Sequence, residues 1–565
     1  MQLTLGAVTV RGALWVVLGI LVLAPLTAIL IGAIRPDLLG GVTASNLPSA
    51  TLWSATRNSL LLGVGVAVIA CTAALILALS MEVLAPPLSA LWEALLFLPF
   101  LSAPYLLGLA WGALALPNSI FSRHFGPFSN LLSRFVFSLI GIAFITATHL
   151  VPLVYTMIRG YLAGTGWRYE FAARVHGLTR SATFLRITLP RLAVPLAAGA
   201  LICFLAGIDE FGVPAMLGPY MGLTVLTTLI QSNLDVWPIN LAAATRIAVV
   251  LLGMGLLAWG FYRHYDRVAG LDYSRPRSTN AGLSWTGVLA SAGIAVWVLF
   301  TSVLPIAVLV ILALLRADTL GIHWNNLTLQ HFATVLMPGR SGFQALTTSF
   351  NLAWSSSLVA LLIATLVAFA ERSGKRIDHA LDLVTTMLNA LPGVVLAVAL
   401  VLVWNAPWNP LPLYSHTALL FVAYVSVLLP LALRYAKTAT TRVEPNLLTA
   451  ARVHGVSQTT TIIHITLPLM LPPLIGGFSI AFVFAMREFV TSVLLQPPGT
   501  NTVSTFIFNE AQQGNSGSAM AMAVVSLSLS LATVGILYSL LWWKRRRHNT
   551  AGLRKTPSEL LPANA

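Results

Sequence analysis

Charge is scarce in this chain and cysteine is almost absent. Of 565 residues, 9% are Asp, Glu, Lys or Arg and 57% are hydrophobic, and the mean hydropathy is +0.85. Soluble domains carry roughly 25% charged residues, so an ordinary soluble fold is excluded. The two cysteines, Cys71 and Cys203, each lie inside an apolar run. That pattern gives packing residues and no disulfide framework. A phosphate loop of the form Gly-x-x-x-x-Gly-Lys-[Ser/Thr] is missing; Gly374-Lys375-Arg376 lacks the preceding glycine and the hydroxyl residue. No Cys/His ligand cluster and no nucleophile–base constellation stands out. The ten-residue alternating segments of an outer-membrane barrel are not evident either.

What the chain does have is apolar runs of about 20 residues, the length a bilayer core of about 30 Å asks of a helix. The runs predict spans at 13–34, 58–80, 92–116, 136–158, 193–218 and 241–262, then at 286–315, 350–370, 384–405, 416–436, 470–495 and 518–542. The fold class is therefore an all-α polytopic membrane protein of about twelve helices. The first run continues to Ile34 without a clear small-residue cleavage site, so it reads as a retained helix rather than a cleaved leader. The stretch 264–283 holds Asp272, Ser274, Pro276, Ser278 and Asn280, a polar, breaker-rich connector. It separates a first membrane domain, 1–263, from a second, 284–543, and 544–565 is a basic tail.

The halves share a motif. Glu170-Phe171-Ala172-Ala173-Arg174-Val175-His176-Gly177 is followed after nine residues by Ile187-Thr188-Leu189-Pro190. Leu448-Thr449-Ala450-Ala451-Arg452-Val453-His454-Gly455 is followed after nine by Ile465-Thr466-Leu467-Pro468. The copies lie 278 residues apart (Glu170 to Leu448), and Pro152/Pro430 and Glu210-Phe211/Glu488-Phe489 keep that offset. One membrane domain has been duplicated and fused. Six spans per half give parallel repeats with a pseudo-two-fold axis along the membrane normal.

The net charge of +15 is placed rather than spread. Arg159, Arg168, Arg174, Arg180, Arg186 and Arg191 follow the fourth span, and Arg434, Lys437, Arg442 and Arg452 surround its counterpart. Arg263, Arg267, Arg275 and Arg277 mark the connector, and Lys544, Arg545, Arg546 and Arg547 the tail. The opposite loops carry mainly Arg35, Arg123, Arg316 and Arg340. The asymmetry predicts cytoplasmic termini and cytoplasmic copies of the motif. It points to the lipid bilayer, not to nucleic acid, as the source of the basic balance.

Ala173 and Gly177, like Ala451 and Gly455, are four apart, one face of a helix on which another protein can approach closely. Tight packing within the chain itself is the plainer reading, and the second copy weighs against it. The motif resembles the EAA loop in permease subunits of bacterial ABC importers, matching at Glu170, Ala172, Ala173, Gly177, Ile187, Leu189 and Pro190. The second copy has Leu448 in place of the acidic residue, with Glu444 four positions earlier. The resemblance implies the type I importer fold in a bacterial inner membrane. It implies two copies of a separate nucleotide-binding ATPase subunit docked on these loops, and a periplasmic substrate-binding protein at loops 35–57, 117–134, 316–349 and 496–517. It also implies that this chain is not itself an enzyme and binds no cofactor, ATP and Mg being used by the partners. His176 and His454 read as docking-surface residues, with pH sensing as an alternative.

Asp209-Glu210 and Arg487-Glu488 fall in the fifth span of each half. Ionisable residues at membrane depth suggest a path or gate; solvated span ends are the bland alternative. The pseudo-symmetry predicts an Asp209–Arg487 ion pair across the axis, with Glu210 and Glu488 approaching each other. Glu210-Phe211-Gly212-Val213-Pro214-Ala215-Met216-Leu217-Gly218 resembles the ferric-iron permease group. So does Glu488-Phe489 followed by Leu494-Leu495-Gln496-Pro497-Pro498-Gly499-Thr500. That resemblance implies iron(III) as cargo, with thiamine, polyamines, phosphonates and small oxyanions as alternatives. A secondary transporter coupled to an ion gradient, or a membrane scaffold, would leave the doubled loop unexplained.

Overall fold

Inside a bilayer each backbone N–H and C=O must find a partner within the protein, so apolar runs become helices. The computed structural model describes residues 12–35, 48–84, 86–117, 119–121, 128–162, 172–235, 239–269, 285–371, 387, 391–406, 409, 413 and 416–553. Among them there is no strand; Leu315 and Leu327 form one isolated bridge. Ten helices are long and apolar enough to cross a membrane, or up to twelve if two sharply bent pairs each count as a span.

In the first half the spans are Gly12–Ile34, Ser49–Glu82, Leu139–Tyr161, Phe184–Asp209 and Leu241–Arg263. The third is the pair Ser89–Leu101 and Pro104–Ala115, bent by 93°. The second half repeats the pattern with Trp285–Leu314, Ser341–Glu371, Thr417–Thr441, Thr459–Met486 and Ser516–Ser539. Its third span is represented by the shorter helix Gly393–Trp404; the expected residues 384–386 and 388–390 lie outside the described residues. Within each half, the second, fourth and fifth spans pack on one another. Small residues let them close up: a Cβ on Gly207 would stand 2.9 Å from the Cα of Gly63 on the neighbouring span, the close approach typical of membrane helices. The first span crosses over. Gly12–Ile34 packs on Gly393–Trp404 of the second half, and Trp285–Leu314 on Pro104–Ala115 of the first.

The fifth spans are shorter than expected. The run 193–218 stops as a helix at Asp209 and resumes as Gly212–Leu217; the run 470–495 stops at Met486 and resumes as Val490–Leu495. Leu226–Asp235 and Val503–Gln512 are further helices that hydropathy did not indicate. Gly212–Met221 and Leu226–Asp235 form the second bent pair, at 84°.

Among the described residues, π-helical turns fall in two matched pairs: Gly19–Leu23 with Leu299–Val303, and Phe184–Thr188 with Ile462–Thr466. A proline follows each by two residues: Pro25, Pro305, Pro190 and Pro468. Proline donates no hydrogen bond, and its ring presses on the carbonyl four residues back. That carbonyl lies inside the π turn every time, where the wider ladder accommodates it. Pro190 and Pro468, expected to lead the chain back into the membrane, do so through this turn.

The mid-membrane breaks and the repeated loops

The first-half third span resumes in a helix of 12 residues, Pro104–Ala115, and a helix of the same length, Gly393–Trp404, begins after non-helical Leu391-Pro392 in the second half. Such a helix is about 18 Å long, which puts each break deep in the bilayer. A helix break exposes carbonyls on one side and N–H groups on the other. The predicted charges answer those groups.

Arg487 Nη1 donates to the carbonyls of Phe100 (2.6 Å) and Ser102 (2.8 Å), just before the first-half break. Its guanidinium lies 4.0 Å from the Phe484 ring centroid, and His149 Nδ1 holds the Pro99 carbonyl beside it at 2.8 Å. Asp209 Oδ2 accepts from the Gly393 N–H at 3.1 Å, at the start of the helix after the second-half break. Its Oδ1 is buried without a hydrogen bond. The cation thus sits at carbonyls and the anion at amides, as the helix dipole favours, and each reaches from its own half into the other.

The predicted Asp209–Arg487 ion pair is therefore absent, and so is any ion pair of Arg487 with either glutamate. Glu210 and Glu488 hydrogen-bond within their own halves. Each turns back to cap its own short helix: Glu210 Oε1 accepts from Val213 N and Glu488 Oε1 from Thr491 N, both at 3.1 Å. The backbone carbonyls are held in matched fashion too, Glu210 O by Thr227 Oγ1 (3.0 Å) and Glu488 O by Ser504 Oγ (2.6 Å).

The residues that do meet are the next ones along. Phe211 and Phe489 occupy matched positions, and their rings contact at 5.2 Å between centroids. Tyr105 at 4.6 Å and Phe508 at 5.3 Å pack on Phe489. A cavity of about 400 Å³ between the halves runs from Asp209 to Arg434 and Lys437. Another, of about 590 Å³, is lined by Gly112, Tyr220, Phe508 and Gln512. Nothing in the sequence marks either phenylalanine as functional, because an apolar residue in an apolar run carries no signal; their invariance to the repeat offset is the available clue.

The repeated loops are built alike. Pro445–Val453 is a helix, and residues 172–175 are helical in the first copy. Both end at a glycine with positive φ, Gly177 at +82° and Gly455 at +69°. Leu178 N bonds Ala173 O and Val456 N bonds Ala451 O, both at 3.0 Å, the Schellman closure that favours glycine. Ala173 and Ala451 face their own chain and are buried, so Ala and Gly do not present one shared face. The exposed set is Ala172, Arg174, Val175, His176 and Gly177, matched by Ala450, Arg452, Val453, His454 and Gly455. Val175 is 76% exposed and Val453 79%. Leu448, in the place of the acidic residue, packs on the cluster of Ala439, Val443 and Met470. Glu170 and the linker residues 270–283 lie outside the described residues. Among the described residues no three His, Cys, Asp or Glu side chains group as a metal site.

A duplicated helical membrane unit, broken at mid-depth and carrying one short loop helix per copy, defines a two-fold transport permease. Residues 87–269 and again 360–542 match the family described as the binding-protein-dependent transport system inner membrane component, and the chain belongs to that family. It is similar to the ferric transport system permease protein FbpB of Actinobacillus pleuropneumoniae, 24% identical over 75% of this chain and 62% of that protein. The chain thus matches less than two thirds of that relative's length. It is also similar to the putative 2-aminoethylphosphonate transport system permease protein PhnV of Salmonella paratyphi A, 26% identical over 40% of this chain and 84% of PhnV. The sulfate transport system permease protein CysT of Salmonella typhimurium is 28% identical over 30% of this chain and 59% of CysT.

Proposed function

We propose that this chain is the membrane-spanning subunit of an ATP-driven importer and that its cargo is iron(III), passed between the two halves. In this reading the termini and the repeated loops face the cytoplasm. Two ATPase subunits dock on the loops, using ATP and Mg, and a periplasmic binding protein delivers cargo from the other side. The carrying observation is the pair of matched loop helices, each exposing a valine and a histidine and each closed by a left-handed glycine. A scaffold or an ion-coupled transporter has no use for such a pair. The paired phenylalanines are the gate, held by Asp209 and Arg487 across the breaks and by Glu210 and Glu488 within each half.

Iron is supported by the likeness to a ferric permease and by three carboxylates against one arginine around the axis. The likeness to phosphonate and sulfate permeases supports a second reading, an oxyanion cargo, for which Arg434 and Lys437 in the loop-side cavity are suited. Co-purification with the ATPase and the binding protein, followed by ATP-hydrolysis assays, separates them. Stimulation by the iron(III)-loaded binding protein supports iron. Stimulation by phosphonate or sulfate alone overturns it, and a chain that recruits no ATPase overturns the importer reading.

A further inference from the structure

Two ion pairs stand at the end of the bundle that carries the repeated loops. Arg159, in the last turn of the fourth span, has Nε 3.4 Å from Glu82 Oε2 at the end of the second span. Its Nη1 also bonds Glu93 and the Tyr155 hydroxyl. The residue 278 positions on is Lys437, whose Nζ lies 3.0 Å from Oε2 of Glu371, the last residue of the second span in the second half. Both cations precede their loop alanines, Ala172 and Ala450, by 13 residues. Buried ion pairs are poor stabilisers compared with apolar packing. Yet the pair persists in both copies although Arg has become Lys and burial has changed, with side-chain exposures of 8% and 4% in the first half and 35% and 15% in the second.

The other end of each second span is fastened too. Ser59 Oγ accepts from Leu226 N at 2.9 Å, and Ser349 Oγ from Val503 N at 2.8 Å. The next residues, Thr227 and Ser504, hold the carbonyls of Glu210 and Glu488, which precede the paired phenylalanines. Each half therefore contains one continuous line: loop, fourth span, ion pair, second span, serine, short helix, phenylalanine.

We propose that the second span of each half is a connecting rod that carries the motion of the repeated loop to the Phe211–Phe489 contact. Glu82, Arg159, Glu371 and Lys437 are positioning residues at one end and Ser59 and Ser349 at the other. The proposal rests on the importer reading above. A helix is the right part for this job, because its internal hydrogen bonds let it shift as a body while its ends do the coupling. Covalent continuity joins the loop to the fourth span on one side and to the fifth on the other; the ion pair is what ties the end of the second span to the fourth.

The test uses the complete complex with its ATPase subunits, and a readout that needs no cargo. Phe211→Cys and Phe489→Cys are combined with replacement of Cys71 and Cys203, and the rate of cross-linking by a short bifunctional thiol reagent is compared with and without ATP. The parent should show an ATP-dependent change of about fivefold or more. Lys437→Met and Ser349→Ala should each remove most of that change while ATP hydrolysis persists, and together should remove no more than either alone, since both cut the same rod. Lys437→Glu should fail, and Lys437→Glu with Glu371→Lys should recover at least half, which a merely structural role would not require. The second half is chosen because its pair is part-exposed, whereas removing the buried Arg159 would disturb the bundle itself. Variants that cross-link like the parent, or a charge swap no better than Lys437→Glu, overturn the rod alone. A parent with no ATP-dependent change overturns the importer reading and the rod with it.

Discussion

Replacing Arg487 by Met keeps most of the side-chain volume and removes both hydrogen bonds to the first-half break. The Phe100 and Ser102 carbonyls are left facing an apolar side chain at a depth where little else can satisfy them. Orphaning a buried polar group costs about 1–3 kcal/mol each, so the two together cost about 2–6 kcal/mol. Met packs on Phe484 as well as the guanidinium does, which offsets only a small part. At roughly 2 °C per kcal/mol for a unit of this size, the apparent melting temperature of the detergent-purified protein should fall by about 4–12 °C. Arg487→Gln retains an amide donor and should lose about half as much. Arg487→Lys keeps the charge and three N–H donors on a single nitrogen, so it should lose less than Gln. The ranking Met, Gln, Lys is the discriminating result. If the cation instead served an Asp209 ion pair, Asp209→Asn would be as damaging as Arg487→Met. A shift below about 2 °C for Arg487→Met would refute the assignment.

Asp209→Asn keeps an acceptor at the Gly393 amide and loses only the charge at a helix N-terminus, worth about 0.3–2 kcal/mol; thermal melting should show a drop of a few degrees at most. Glu210→Ala and Glu488→Ala each lose a helix cap, about 0.5–2 kcal/mol, and amide hydrogen exchange should rise in Gly212–Leu217 and Val490–Leu495 respectively, not elsewhere. Gly177→Val and Gly455→Val force a branched residue into positive φ, where the loop closure cannot form without strain; cargo uptake should fall at least fivefold while ATP hydrolysis continues, and normal uptake in both variants would sink the docking assignment. Phe211→Ala with Phe489→Ala should make proteoliposomes permeable to small ions without ATP, measured as dye-reported leak.

The spans were legible because lipid imposes one rule on every run of about 20 apolar residues. The breaks were not, because they interrupt the helix without interrupting hydropathy. Proline offered a partial signal. Pro104 opens the resumed first-half helix, and Ala103 before it is extended; Pro392 stands just before Gly393–Trp404. Yet Pro152, Pro195 and Pro430 sit inside unbroken spans, so proline alone does not decide. Symmetry was read correctly and applied to the wrong residues. The offset of 278 does bring a matched pair to the axis, but the pair is Phe211–Phe489. At Glu210 the backbone turns extended, so neighbouring side chains point to different partners, and one or two positions separate a residue that meets its twin from one that grips the other half. The glycine of the loop was likewise found for the wrong reason: the spacing suggested a flat face, and the fold needed a left-handed residue.

The π turns bear on how this duplicated chain could have been tuned. Each holds one residue more than an α-helical turn would, so losing one residue from 184–188 or 462–466 would leave a continuous helix but rotate everything beyond it by about 100°. Those segments lie at the loop end of each fifth span. A single-codon deletion there would act as an indexing step, turning Asp209 or Arg487 off its break without altering any residue in contact with it. Matched π turns at both sites mean the two halves have kept the same angular setting since they were fused.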